Sequence, residues 1–126
     1  MKLSELVSQF ATQQRPAGNL LDEPTLLAQA VAATRFYAGY AVLRARDGVA
    51  PAPEIDEELD ISESEWALIH PLFMLYAERE TALQIEASRG MGIETFGRQV
   101  SEIAAEITQA ESEMPRKAFY QPIVTV

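Results

Sequence analysis

His70 is the sole histidine in the chain, and Glu65 and Glu78 are the carboxylates that could partner it on a helix. A histidine beside a carboxylate is the minimal general acid–base pair, so these residues are where proton-transfer chemistry would have to occur. The spacing argues for a plainer role. Trp66, Ile69, Phe73 and Met74 flank His70 at helical intervals, so the imidazole borders an apolar face beside Pro71 and reads as structural. Helical-bundle di-iron centres need two Glu-x-x-His pairs, whereas Glu65 and His70 are five apart and no second histidine exists. A His-Glu-x-x-His zinc motif is excluded on the same ground. The absence of cysteine removes thiolate catalysis, disulfides and Cys-ligated zinc, and fits synthesis in a cytoplasm. No Gly-x-Ser-x-Gly elbow or phosphate-cradling glycine loop occurs, and Gly90-Met91-Gly92 reads as a turn. Glu78, Glu80 and Glu86, with Arg79 and Arg89 close by, read as a solvated helix face. The expectation is a non-enzymatic chain with no catalytic residue, no metal ligand and no cofactor.

Charge narrows the partners. With 10 basic against 19 acidic residues, the formal net charge is -9, the wrong sign for a protein that neutralises phosphates. A helix-turn-helix around Gly90–Ser101 would have only Arg89 and Arg98 as contacts, so sequence-specific nucleic-acid binding is not expected. The segment Asp47–Glu65 holds eight acidic residues and no basic one. Glu54, Asp56, Glu57, Glu58 and Asp60 form its centre, which reads as a solvated linker and as a candidate surface for a basic partner. No window approaches the run of about 20 apolar residues that spans a bilayer, and the N-terminus has no signal-peptide core, so a soluble chain is expected.

The elements that must position these groups are helices. A chain of 126 residues, 48% hydrophobic, is enough for one domain burying roughly two thirds of its unfolded surface. Leu3, Leu6, Val7 and Phe10 predict a short amphipathic helix over 2–12. Asp22 as N-cap with Pro24 in the first turn opens a second helix running to about Arg46. Its alanines allow close helix approach, Arg44 and Arg46 complement its negative end, and Gly48 stops it. Ser62 and Glu65 form a capping box, with Ile61 able to staple onto Trp66. The third helix then runs through Pro71, with a kink, to Arg89, where Gly90 stops it. A loop over 90–97 precedes a fourth helix from Arg98 to Glu113, ended by Pro115. The fold class is thus all-α: a single-domain bundle of about four helices over 1–118, with an extended C-terminal arm over 119–126.

That arm is the one feature a bundle does not account for. Phe119-Tyr120-Gln121-Pro122-Ile123-Val124-Thr125-Val126 is aromatic and β-branched and carries no charged side chain. An extended apolar strand is an aggregation hazard unless it is covered. Phe119, Tyr120, Pro122, Ile123, Val124 and Val126 are therefore the candidate subunit-interaction residues, docking on a neighbour by strand-like pairing or folding back on their own domain.

The capped start Ile61-Ser62-Glu63-Ser64-Glu65-Trp66-Ala67-Leu68-Ile69 leads into Leu75-Tyr76-Ala77-Glu78-Arg79-Glu80, a glycine-containing loop and a helix bearing Ser101-Glu102-Ile103. Over residues 25–118 this resembles the head–tail connector, adaptor or head-completion proteins of tailed bacteriophages. The resemblance implies a mainly helical structural subunit made in the bacterial host cytoplasm and carried in the virion neck. It implies a homo-oligomeric, dodecameric ring that binds the portal protein and tail-side collar or completion proteins and continues the DNA channel, whose acidic wall Glu54, Asp56, Glu57, Glu58 and Asp60 could supply. A terminal arm reaching the portal or an adjacent subunit would fall on Phe119–Val126. Two other classes stay open: a small acidic assembly chaperone or regulator that masks a basic partner, and a helical enzyme built on His70.

Overall fold

The computed structural model describes residues 1–14, 21–87 and 100–120. Within them the chain forms four α-helices and no named strand: α1 Leu3–Gln9, α2 Glu23–Ala38, α3 Glu63–Ala87 and α4 Val100–Tyr120. The all-α bundle expected from sequence is what the protein adopts. The expected loop over 90–97 lies outside the described residues.

The α1 stripe is laid out by its period. Leu3, Leu6, Val7 and Phe10 are all buried, and the helix runs into a π-helical turn over Phe10–Gln14. For α2, the Thr25 N–H donates to Asp22 Oδ1 at 2.9 Å, the cap expected there. Leu26, Ala30, Ala33 and Tyr37 turn inward, and the small residues among them let α2 lie close to its neighbours. The other end of α2 differs from expectation. The helix stops at Ala38, with Gly39 as C-cap, and Arg44–Arg46 form a separate 3-10 turn instead of its last turn. The physical reason lies beyond the helix. Leaving it at Gly39 buries Leu43, 1% exposed, and sets the Arg44 N–H against a carboxylate of α3.

The chain enters α3 through the expected capping box, since the Ser62 N–H donates to Glu65 Oε1 at 3.0 Å and the Glu65 N–H to Ser62 Oγ at 3.3 Å. Pro71 lies inside a single helix, on an exposed position, while Ile69, Leu72, Phe73, Tyr76 and Ala77 carry the core. Pro115 likewise lies inside α4 and does not end it. A proline in a helix interior costs about 3 kcal/mol. Against that, Met114 and Ala118 are both 2% exposed, and breaking the helix before them would return that apolar surface to water. Phe119 and Tyr120 are consequently the end of α4 rather than the start of an extended arm.

The acidic segment is not a loose linker. Its backbone pairs with the N-terminal end of α1: Leu3 N–H donates to Leu59 C=O and Ser4 N–H to Glu57 C=O, each at 3.0 Å. The Ile61 N–H donates to Met1 C=O at 2.8 Å, and Lys2 and Asp60 form an isolated antiparallel bridge. Carbonyls of the segment thereby satisfy helix N–H groups that have no intrahelical partner. Leu59 and Ile61 are buried and anchor it. Arginines hold the other side, with Arg46 Nε donating to Pro53 C=O at 2.8 Å and Arg35 Nη2 to Ile55 C=O at 3.5 Å.

Candidate functional site

Three places concentrate polar chemistry. The first is Glu65, 2% exposed at the start of α3. Its Oε1 accepts from the Ser62 N–H at 3.0 Å and the Ser62 hydroxyl at 2.9 Å, and its Oε2 accepts from the Arg44 N–H at 2.9 Å. Both oxygens are occupied by groups that shape the backbone, so this carboxylate works as a structural clamp joining the 40s loop to the α3 N-terminus. Tyr37, 1% exposed, is held above the usual phenol range by burial first and by the negative charge of Glu65 second, against the opposing charge of Arg44.

The second is His70. It stands among Trp66 (ring centroids 5.4 Å apart), Phe73 (6.2 Å) and Phe10 (6.5 Å). Its Nε2 is the only buried side-chain nitrogen or oxygen, among the described residues, that has no hydrogen-bond partner. Desolvation lowers the imidazole pKa below 6.5. No hydrogen bond links it to Glu65, whose oxygens point to Ser62 and Arg44. An imidazole kept neutral in the folded state, and free to charge in the unfolded chain, makes stability depend on pH. Unfolded His70 binds a proton near pH 6.5 and native His70 resists it, so stability falls as pH drops from 6.5 toward 5, above the main carboxylate range. In His70→Leu that decline should vanish, and stability at pH 7 should hold or rise because an unpartnered buried nitrogen is gone. Urea midpoints at pH 7 and pH 5 check this; an equal decline in both proteins would refute it.

The third is Tyr76, 6% exposed on α3, whose hydroxyl donates to Glu111 Oε2 on α4 while the Arg79 guanidinium stands 5.0 Å from the ring centroid. Burial, then the hydrogen bond to Glu111 and its charge, push this phenol far above its ordinary pKa of 10. The bond ties the two helices together.

The expected acidic surface is brought together as a surface. Glu54, Asp56, Glu57, Glu58 and Asp60 are all exposed. Asp60 lies 2.8 Å from the Met1 ammonium and Glu58 2.9 Å from Lys2 Nζ, exposed pairs of the kind worth little to stability. Asp56 Oδ1 accepts from the Glu58 N–H at 2.9 Å, shaping the turn. The segment also borders a groove that the sequence did not signal. Pro24, Leu27, Ala28, Val31, Ala32 and Arg35 of α2 face Ile55, Asp56, Glu57 and Glu58 across a space of ≈ 540 Å3. Half-buried Leu27 and Val31 at outward-leaning helix positions, opposite an isoleucine set among acids, were the available clue.

Of the expected interaction residues, Phe119 and Tyr120 close α4, whereas Pro122, Ile123, Val124 and Val126 lie outside the described residues. Among the described residues no three His, Asp or Glu side chains are grouped to hold a metal, and no helix is long and apolar enough to cross a membrane. No family model, curated protein or solved structure matches this chain.

Proposed function

We propose that this chain is a non-enzymatic structural subunit that self-assembles into a ring: a head–tail connector or head-completion protein of a tailed bacteriophage, located in the virion neck. It joins the portal to the tail-side components and continues the DNA channel. The observation that carries this is the uncharged Gln121-Pro122-Ile123-Val124-Thr125-Val126 run directly after α4, a helix whose apolar face is already engaged by Ile103, Ile107, Met114 and Ala118. The run offers apolar surface and backbone for a partner, in the manner of a strand or arm added to a neighbouring subunit. The capped α3 sequence and its resemblance to connector proteins support the specific role.

Deleting residues 121–126 leaves α4 whole and tests the reading. The truncated protein should keep its helical circular dichroism yet lose higher-order mass in light scattering, both alone and with a portal ring. Normal assembly of the truncated chain would refute the proposal.

The acidic chaperone remains the second reading, favoured by five exposed carboxylates on one anchored segment. It requires binding to a basic partner that weakens steeply with salt and reverses with Glu57→Lys and Glu58→Lys, while removal of the C-terminal run has no effect.

A further inference from the structure

We propose that the groove between α2 and residues 55–58 is the receptor for residues 121–126 of a second copy of this chain. This rests on the assembly reading above and adds the receptor and the recognition chemistry. The groove has an apolar floor, half-buried Leu27 and Val31 with exposed Ala28 and Ala32 beside them, and a mainly acidic rim, Asp56, Glu57 and Glu58, with Arg35 also lining it and Glu58 paired to Lys2. Its complement is a segment that reads basic and then apolar. The chain holds one such segment: Arg116-Lys117 is its only adjacent basic pair, Lys117 Nζ lying 3.6 Å from Glu113 Oε2 of its own helix and Arg116 being exposed, and the uncharged run 119–126 follows one residue later.

Length fits as well. Pro24 to Arg35 covers eleven helical steps, roughly 16 Å of groove at 1.5 Å per residue. Six extended residues reach about 20 Å. In an extended run Pro122, Val124 and Val126 share one face, and such compact side chains suit a floor interrupted by alanines. A second copy, rather than the same molecule, is the donor because α4 is fastened to α3 by the Tyr76–Glu111 bond and by buried Met114 and Ala118, whereas the groove lies on the outward face of α2. A run from one subunit seated in the groove of the next is a heterologous contact, the kind that closes into rings.

The chain has no cysteine, so one engineered pair reports the contact without background. The double variant Ala32→Cys with Val124→Cys, oxidised while assembled, should give a ladder of covalent multimers that collapses to monomer on reduction. An internal crosslink within a single chain, or no crosslink, would overturn the proposal. Mixing provides a second readout that does not need the disulfide. Ala32→Glu, with its run intact and its groove blocked, should combine with the 121–126 deletion to give dimers only, while neither assembles alone. Glu57→Lys should weaken association about tenfold at low salt. If the deletion abolishes assembly but Ala32→Glu assembles normally, the receptor lies elsewhere and only this inference falls. If the deletion itself assembles normally, the assembly reading falls with it.

Discussion

Glu65→Ala should lower stability by about 3 kcal/mol, more than any other single polar truncation in the described core, because it strands donors rather than removing one bond. The carboxylate accepts from the Ser62 N–H, the Ser62 hydroxyl and the Arg44 N–H. The hydroxyl can turn to Ser64 Oγ, 3.3 Å away, so its loss is small. The two backbone N–H groups, both in partly buried hydrogen bonds, lose their acceptor, and a donor left unsatisfied costs about 1–3 kcal/mol. Graded variants separate the parts. Ser62→Ala removes the cap and the hydroxyl's bond to Glu65 but leaves both backbone N–H bonds to the carboxylate, and should cost about 1 kcal/mol. Glu65→Gln keeps one acceptor but turns an amide N–H toward one of the two donors, placing it between the others. With a urea m-value of roughly 1.5 kcal/mol/M, the Ala variant should unfold about 2 M earlier at unchanged m. A shift under about 0.5 M would mean that water replaces the carboxylate freely. The clamp would then contribute nothing to fixing the 40s loop.

This clamp also marks the boundary of what could be read in advance. Signals confined to a few residues were legible: the Asp22 cap, the Ser62–Glu65 box, the stripe Leu3, Leu6, Val7 and Phe10, and one α3 running through Pro71. Signals that depend on residues distant in sequence were not. Alanines and Tyr40, Val42 continue a helical pattern past Ala38, and Gly39 alone weakly opposes it, at about 1 kcal/mol. What ends α2 is burial of Leu43 and a hydrogen bond from Arg44 to a residue 21 positions later. Pro115 carries a strong local stop signal that burial of Met114 and Ala118 overrides. The acidic stretch looked solvated because its side chains are, yet its carbonyls serve the first turn of α1 more than fifty residues away.

The same distinction governs the candidate site. Exposed acids were legible as a surface from composition, but the groove beside them needs α2 and the 55–58 segment to meet, which no local pattern encodes. The residues able to do chemistry were legible by type, and the sequence already favoured structural roles for them. Glu65 forms the expected box with Ser62, and the part that no local pattern encodes is its second bond, from the Arg44 N–H. His70 is held in an aromatic cage with an unpartnered nitrogen, an environment that resists taking up a proton.

Alkaline pH should unfold this protein steeply, and two buried phenols set the slope. Tyr37 and Tyr76 are 1% and 6% exposed, and both are held above the ordinary phenol pKa of 10, primarily by burial. In each case a carboxylate, Glu65 or Glu111, adds to the shift, and an arginine, Arg44 or Arg79, opposes it. A group whose pKa is raised on folding stabilises the native state fully below the unfolded value and loses that contribution as pH climbs. The unfolded chain gives up these protons near pH 10 while the native one keeps them, so stability declines from there upward. The ceiling is about 1.4 kcal/mol per pH unit for a phenol that stays protonated in the native state while it ionises in the unfolded chain. Tyr76→Phe separates the two effects. At pH 8 it should be less stable than wild type by about 1.5 kcal/mol, having lost a hydrogen bond to a carboxylate. Above pH 10 the gap should close, because the variant has one fewer phenol to ionise. Tyr37→Phe should flatten the same limb without loosening α3 from α4. Urea midpoints at pH 8 and pH 11 for the three proteins decide the matter. Parallel declines would show that these hydroxyls ionise in the folded state as readily as in the unfolded one, and that neither is sealed from water by the helices around it.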